Sequence, residues 1–317
     1  VVTGGAGFIG SNLARRLVDQ GAEVVVVDNL STGRLGNLAG VGDRLRFAQT
    51  DIRDLGSLRE LFRNTEIVFH QAALSSVPRS VKDPAFCHEV NVTGTLNVLL
   101  AAREAGARRV VLASSSSVYG DSPTLPKSES LPLEPQSPYA ASKSMVEVYG
   151  RVFFRSYGLE TVSLRYFNVY GPRQDPAPEY GAVIPRFILA MIQGLPPEIF
   201  GDGRQSRDFV YVEDVVDANL LAATVPAAAG EVFNVGSGTA RSLNELVEML
   251  GTALNTRELE PLYGPLRPGD VRHSVACVKK ARKVLGFRAD MPFLEGLGRT
   301  ATWFRRSAHQ DLLQEGL

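Results

Sequence analysis

Val1-Val2-Thr3-Gly4-Gly5-Ala6-Gly7-Phe8-Ile9-Gly10 opens the chain and sets its architecture. It reads as a short buried strand, a glycine turn and the start of a helix continuing to about Gln20. Gly4 can make the tight turn, Gly7 lets backbone approach a pyrophosphate, and Gly10 lets the helix pack closely on the sheet. The G-x-x-G-x-x-G spacing is one residue longer between its first two glycines than the usual dinucleotide fingerprint; taken alone, it also fits a glycine turn with no ligand. Glu23-Val24-Val25-Val26-Val27-Asp28 then makes a second strand that ends in an acid, about 20 residues beyond the loop. A carboxylate there can accept hydrogen bonds from both ribose hydroxyls of adenosine and repels a 2′-phosphate, so NAD is expected rather than NADP. Arg34, in Asn29-Leu30-Ser31-Thr32-Gly33-Arg34, is either a solvated loop arginine or a cation that softens this preference.

Strand and helix patterns alternate onward, with strands near 1–3, 23–27, 45–49, 66–70, 108–113 and 160–165. Alternation of this kind predicts an α/β fold with a doubly wound parallel sheet covered on both faces, and ligand beyond the carboxyl ends of the strands. The polar residues at those ends are Asp28, His70-Gln71-Ala72-Ala73, Ala113-Ser114-Ser115 and Tyr166-Phe167-Asn168. After Gly171-Pro172 the pattern loosens. The expected division is a dinucleotide-binding domain over 1–171 and a smaller, partly discontinuous C-terminal substrate lobe over 172–206 and 231–317. Phe209-Val210-Tyr211-Val212 and the helical 213–224 are expected to return to the main sheet, as a segment near 207–224.

The 317 residues, 44% of them hydrophobic, can bury one large core or two joined lobes. With 34 basic and 34 acidic residues, no global field recruits nucleic acid or an anionic membrane. Cys87 and Cys277 give no disulfide framework and no metal-ligand spacing, which fits a reducing cytoplasm. No apolar run approaches the roughly 18 residues that span a bilayer. The chain opens on a strand instead of a signal peptide and lacks an initiator methionine, so a few leading residues are expected before Val1. His88, His273 and His309 show no paired metal spacing, and His70 reads as a packed strand residue.

The chemistry centres on Ser137-Pro138-Tyr139-Ala140-Ala141-Ser142-Lys143, with Ser115 upstream. Ser137 suits an N-cap and Pro138 a first turn, so Tyr139 and Lys143 fall on one face of a helix. A free phenol has a pKa of roughly 10 and is a poor base near neutrality. A fixed cation and the positive end of a helix dipole are expected to favour phenolate, giving a group able to take a proton from a sugar hydroxyl. Tyrosine and lysine at this spacing alone more often simply line a helix.

Together these residues resemble the extended branch of the short-chain dehydrogenase/reductases, and within it the NAD-dependent UDP-sugar 4-epimerases of the hexosamine-accepting kind. The resemblance rests on Thr3–Gly10, Asp28–Gly33, Asp51-Ile52-Arg53-Asp54, His70–Ala73, Ser114–Gly120, Pro138-Tyr139 with Lys143, Leu164–Pro172 and Arg207-Asp208-Phe209, and it covers essentially the whole chain. It implies a Rossmann sheet, Tyr139 as base, Lys143 as its electrostatic partner and nicotinamide-ribose contact, and Ser115 as a hydroxyl bonding the sugar oxygen. Around NAD it implies contacts from Gly4, Gly7, Phe8, Ile9 and Gly10, and from Asp28, Asn29, Ser31, Thr32 and Gly33. Asp51 and Ile52 would flank adenine, Ala72, Ala73 and Asn91 would line the cofactor, and Tyr166 would approach its nicotinamide side. For a UDP-sugar, Asn168, Arg207 and Arg267 would meet the diphosphate, Asp270 the uridine ribose, and Ser75 and Val183 the substrate. Phe200 would pack on uracil or is a core aromatic before a turn. The resemblance also implies a homodimer through the helices near 84–105 and 138–157, whose extra apolar positions are otherwise a core face.

Ser116 and Ser117 stand where nucleotide-sugar 4,6-dehydratases carry acidic residues, so dehydration is disfavoured. Asn168, in place of threonine, argues against a UDP-glucuronate 4-epimerase. Arg79 and Arg173 could still meet a carboxylate, which keeps uronic and N-acetylated uronic acids as alternatives. A catalytically silent dinucleotide-binding regulator is the alternative of another class. Ser274 resembles the family's gate beside the sugar C2 substituent, where a small residue leaves space for an N-acetyl group; otherwise it is an ordinary loop serine.

Overall fold

Short runs of valine, isoleucine and leucine form strands here because helices cover both faces of the sheet they join. The computed structural model describes residues 1–175, 182–256, 259–266 and 271–315, with side chains to residue 306. Its first half runs β1 (Val2–Thr3), α1 (Phe8–Asp19), β2 (Val24–Asp28), β3 (Leu45–Gln49), α2 (Leu55–Leu61) and β4 (Ile67–His70). There follow α3 (Val77–Lys82), α4 (Pro84–His88), α5 (Gly94–Glu104), β5 (Arg109–Ser115), α6 (Pro138–Tyr157) and β6 (Glu160–Tyr166). Beyond these lie β7 (Asn168–Tyr170), α7 (Val183–Ile192), β8 (Glu198–Phe200), β9 (Ser206–Tyr211), α8 (Val212–Thr224) and β10 (Val232–Val235). The chain then passes through β11 (Ala240–Ser242), α9 (Leu243–Leu254), β12 (Leu262–Gly264), α10 (Lys279–Leu285) and α11 (Phe293–Glu315).

The main sheet has seven strands in the order β10-β6-β5-β4-β1-β2-β3, every pair parallel. The chain winds one way from β1 to β3 and the other way from β4 to β10, so a crevice opens at the carboxyl ends of β1 and β4. Register brings the polar strand ends into line: Thr3 pairs with His70, His70 with Leu112, and Ser115 with Tyr166. Alternate residues of each strand enter opposite cores. Val111 and Ala113 pack with Leu13, Val215 and Phe233 on the side of α1, α8 and α10. Val110 and Leu112 pack with Leu58, Leu99 and Phe153 on the side of α2, α5 and α6. A further core, built from Phe187, Met191, Leu246, Leu250, Leu297 and Phe304, joins α7, α9 and α11.

The second half departs from its expected division. Phe209–Tyr211 does not return to the main sheet; β9 lies in a three-stranded sheet between β7 and β11. It reaches the main core through Val210, and the following helix, α8, does so through Val215, Val216 and Ala222. Conversely β10, expected in the smaller lobe, is an edge strand of the main sheet beside β6, and α10 packs there through Ala281 and Leu285. The stretch near 84–105 is also not one regular helix, because a π-helical turn at Glu89–Thr93 joins α4 to α5. Its apolar positions go inward, whereas α6 leaves Met145, Val148 and Val152 exposed.

α6 is fastened to the sheet by charge as well as by packing. The side chains of Glu147 and Arg165 are 1% and 4% exposed and meet through two hydrogen bonds of 2.7 and 2.8 Å. Glu147 also accepts from Ser114 Oγ, and Arg165 Nη1 donates to the Tyr119 hydroxyl at 2.7 Å, which itself donates to Asn234 Oδ1 at 2.7 Å. Removing one partner of such a pair leaves a buried charge without compensation. Glu147→Ala should therefore lower the unfolding free energy by about 3–5 kcal/mol, measured by urea denaturation. The double change Glu147→Leu with Arg165→Met should lose less, and a larger loss in the double variant contradicts this account.

Candidate active site

The glycine loop is shaped by close approach. Gly4 has φ +66°, and a Cβ there would come within 2.6 Å of Ala72 N; a Cβ on Gly10 would come within 2.2 Å of Gly4 O. α1 begins after Gly7 with no side-chain cap, so the N–H groups of its first turn, from Phe8 onward, keep their donors for an anion. Asp28 braces the loop: one carboxylate oxygen accepts from Ala6 N at 3.0 Å and the other from Leu30 N at 2.8 Å. These bonds leave lone pairs of the carboxylate at the cleft wall, which Asp28 lines. Bare backbone, an uncapped helix start and an acid at the end of β2 fit the pyrophosphate and adenosine ribose of NAD.

One cleft of about 1060 Å³ runs over the carboxyl edge of the sheet and gathers most of the expected residues. At the cofactor side it is lined by Gly4, Gly7, Phe8, Ile9 and Gly10, then by Asp28, Asn29, Ser31, Thr32, Asp51 and Ile52, and by Ala72, Ala73 and Tyr166. Asp51 accepts from the Arg53 side chain at 3.0 Å and from Asn29 Nδ2 at 2.9 Å, and the Arg53 bond holds its pKa down at about 2. Gly33 and Asn91 stand behind the lining. Gly33 backs Asp28, where a Cβ would come within 2.8 Å of the carboxylate. Asn91, expected against the cofactor, instead sits inside the π-helical turn, accepting from Leu74 N at 2.7 Å and donating to Ser142 Oγ at 2.9 Å. It thus ties the Ala72–Ser75 loop to α6.

Ser115, Tyr139 and Lys143 meet in the same cleft. Ser137 caps α6 by accepting from Ala140 N at 3.1 Å, Pro138 occupies the first turn, and Tyr139 N donates to Ser80 Oγ at 3.1 Å. Lys143 Nζ lies 5.9 Å from the centre of the Tyr139 ring and donates to Ala113 O at 2.8 Å. The Tyr139 phenol does not show the expected downward shift. Burial pushes its pKa up, and the hydrogen bond from Ser115 only partly opposes this. Burial also lowers Lys143, to about 8. Loss of hydration penalises both charges, a cost that sequence spacing does not register.

Farther along, Ser75, Asn168, Val183, Phe200, Arg207 and Ser274 line the cleft as well. Phe200 is a wall residue with Arg186 5.5 Å from its ring centre. Ser274 N donates to Ser206 O at 3.1 Å, which holds its segment against β9 beside Arg207. Arg79 and Arg173 both line the cleft, and Arg173 also donates to Asn12 Oδ1 on α1 at 2.6 Å. Arg267 and Asp270 lie outside the described residues.

A family model described as NAD dependent epimerase/dehydratase family matches residues 1–236. The chain belongs to that family. It is 45% identical over 313 residues to the UDP-glucose 4-epimerase of Mycolicibacterium smegmatis, covering 97% of this chain and 99% of the relative. Among solved structures it is similar to the UDP-N-acetylglucosamine 4-epimerase from Methanobrevibacter ruminantium M1 in complex with UDP-N-acetylmuramic acid, at TM-score 0.93 and 40% identity, covering 96% and 97% of the two chains. It is also similar to the Thermus thermophilus UDP-glucose 4-epimerase in complex with NAD, at TM-score 0.87 and 41% identity, covering 96% and 98%. NAD is the cofactor of this family, and the loop and cleft fit it.

Two residues at the site, Asn219 and Lys127, escaped the sequence because their partners are distant in the chain. Tyr166 shares its hydroxyl with Gln71 and Asn219, which bond each other at 3.0 Å, and burial raises its pKa to about 12. Lys127 is buried and lines the cleft. No local pattern announces either. His70 is a packed strand residue, as expected, but it also organises the sheet edge. The Thr95 hydroxyl donates to Asn91 O at 2.6 Å, so it accepts from His70 Nε2 at 2.9 Å. Nδ1 then accepts from the Thr3 hydroxyl at 2.7 Å, which fixes the neutral Nε2–H tautomer.

Burial holds the His70 pKa at about 3, against an ordinary 6.5. The unfolded chain therefore binds a proton that the folded chain refuses, and stability from this residue is complete above pH 6.5 and falls as pH drops from 6.5 towards 3. His70→Gln should flatten the pH dependence of the unfolding free energy across that window by up to one proton. An unchanged slope, measured by denaturation at stepped pH, contradicts the assignment.

Proposed function

We propose that this NAD-dependent enzyme epimerises UDP-sugars at C4, interconverting UDP-N-acetylglucosamine and UDP-N-acetylgalactosamine alongside the non-acetylated pair. The observation that carries this reading is the convergence of Ser115, Tyr139 and Lys143 in one cleft with the glycine loop. Tyr139 takes the O4 proton and later returns it, while the Ser115 hydroxyl orients that oxygen. Bound NAD supplies a positively charged ring and the acceptor and donor of the C4 hydride. Lys143 holds positive charge near the phenol as it becomes phenolate. Arg207 is the arginine suited to a diphosphate, which a guanidinium fork binds better than an ammonium does. After oxidation the sugar is a 4-keto hexose that must turn before it is reduced from its opposite face. Ser116 and Ser117 supply no additional acid for eliminating water.

Acceptance of the acetylated sugar rests on Ser274. It is half-buried in the cleft wall, and its side chain is small. The likeness to a UDP-N-acetylglucosamine 4-epimerase supports the same substrate.

Tyr139→Phe keeps the ring and removes the proton acceptor. Turnover should fall by about 10²–10⁴-fold, the usual worth of one general base, with bound NAD and the unfolding midpoint retained. Near-wild-type rates in the folded variant contradict the mechanism. Ser274→Tyr should suppress conversion of UDP-N-acetylglucosamine by steric exclusion while sparing UDP-glucose and UDP-galactose. Equal losses for both pairs, or no loss for either, show that Ser274 is not the gate.

A further inference from the structure

At the mouth of the cleft an ion pair joins the loop after β2 to the segment after β7. Arg34 Nη2 lies 3.1 Å from Asp175 Oδ1, and both residues line the cleft. Each end is anchored separately. Arg34 N donates to Ala6 O at 3.0 Å, within the glycine loop, and follows Gly33, which packs on the Asp28 carboxylate. On the other side Asn12 Nδ2 donates to Pro172 O at 3.2 Å, Arg173 Nη1 to Asn12 Oδ1 at 2.6 Å, and Gln174 Nε2 to Val169 O at 3.0 Å. Asp175 is thereby held opposite the loop that carries Arg34.

This arrangement bears on cofactor choice. Asp28 disfavours a 2′-phosphate, yet an arginine close to the same ribose is what dinucleotide enzymes use to accept one. A guanidinium released beside Asp28 would offset part of the carboxylate's repulsion. We propose that Asp175 is a specificity-determining residue for the cofactor: it draws the Arg34 guanidinium across the cleft and so withholds it from a 2′-phosphate. The pair adds little to folding, because its side chains are 66% and 43% exposed. Selection between cofactors needs no folding energy. It needs only that a phosphate dianion meet a neutralised cation rather than a free one.

The test is a competition on the purified protein, equilibrated with equimolar NAD and NADP, desalted and denatured, with the released nucleotides quantified by chromatography. Asp175→Asn should raise the NADP-to-NAD ratio roughly five-fold, the equivalent of a partly screened charge interaction of about 1 kcal/mol. Asp175→Ser, which also removes the charge, should give a similar rise. Arg34→Met alone should leave the ratio at or below that of the parent protein. Arg34→Met combined with Asp175→Asn should return to the Arg34→Met value. An unchanged ratio in both Asp175 variants, or a rise that survives loss of Arg34, overturns the proposal.

Discussion

The buried ion pair between Glu147 and Arg165 is the contact on which the site most depends. It binds α6, which carries Tyr139 and Lys143, to β6, and through Ser114 to β5, the strand that ends in Ser115. Arg165 passes the connection through the Tyr119 hydroxyl to Asn234 on β10. A reacting triad needs its members held to fractions of an ångström, and side chains on separate elements achieve that only when the elements cannot slide. Apolar packing alone tolerates sliding better than a bidentate pair whose remaining polar atoms are also bonded. Burying two charges here costs desolvation, and directional bonds recover it.

Around that anchor the parallel register does the rest. Thr3, His70, Ser115 and Tyr166 end adjacent strands, so polar groups far apart in the chain share one rim above an apolar sheet. Two elements then close the rim from the cofactor side. The glycine loop brings α1 against the sheet so tightly that no Cβ fits at Gly10, and the π-helical turn directs Asn91 inward to hold the Ala72–Ser75 loop. The far side of the cleft is lined from β7 and β9 of the smaller sheet and from the segment holding Ser274. The cleft therefore lies between a rigid sheet edge and a lobe assembled from separated pieces of chain.

The first half was legible in the sequence because its signals are local. Glycine spacing, a valine run ending in Asp28, and Ser137-Pro138 ahead of Tyr139 each specify structure within a few residues. The second half was less legible because its decisive contacts are distant. Nothing in Ser206–Tyr211 says that its first half pairs with Ala240–Ser242 and its second half with Asn168–Tyr170 rather than with the main sheet. Nor does Val232–Val235, a short strand with a buried asparagine, declare that it completes the larger sheet. Electrostatics were the other gap. Four-residue spacing places Lys143 beside Tyr139, but only the folded environment reveals that burial raises the phenol and lowers the ammonium. Side chains acting across the fold, such as Gln71 with Asn219, leave no mark in a linear pattern.

The central claim is that hydrogen leaves and returns to C4 of a UDP-sugar within this one cleft. Its most direct measurement uses UDP-N-acetylglucosamine carrying deuterium at C4, incubated with the purified protein in ordinary water and followed by mass spectrometry and NMR of the product. The account predicts UDP-N-acetylgalactosamine with the deuterium still at C4. An epimer that has lost the label to solvent, or a substrate recovered unchanged, would contradict it.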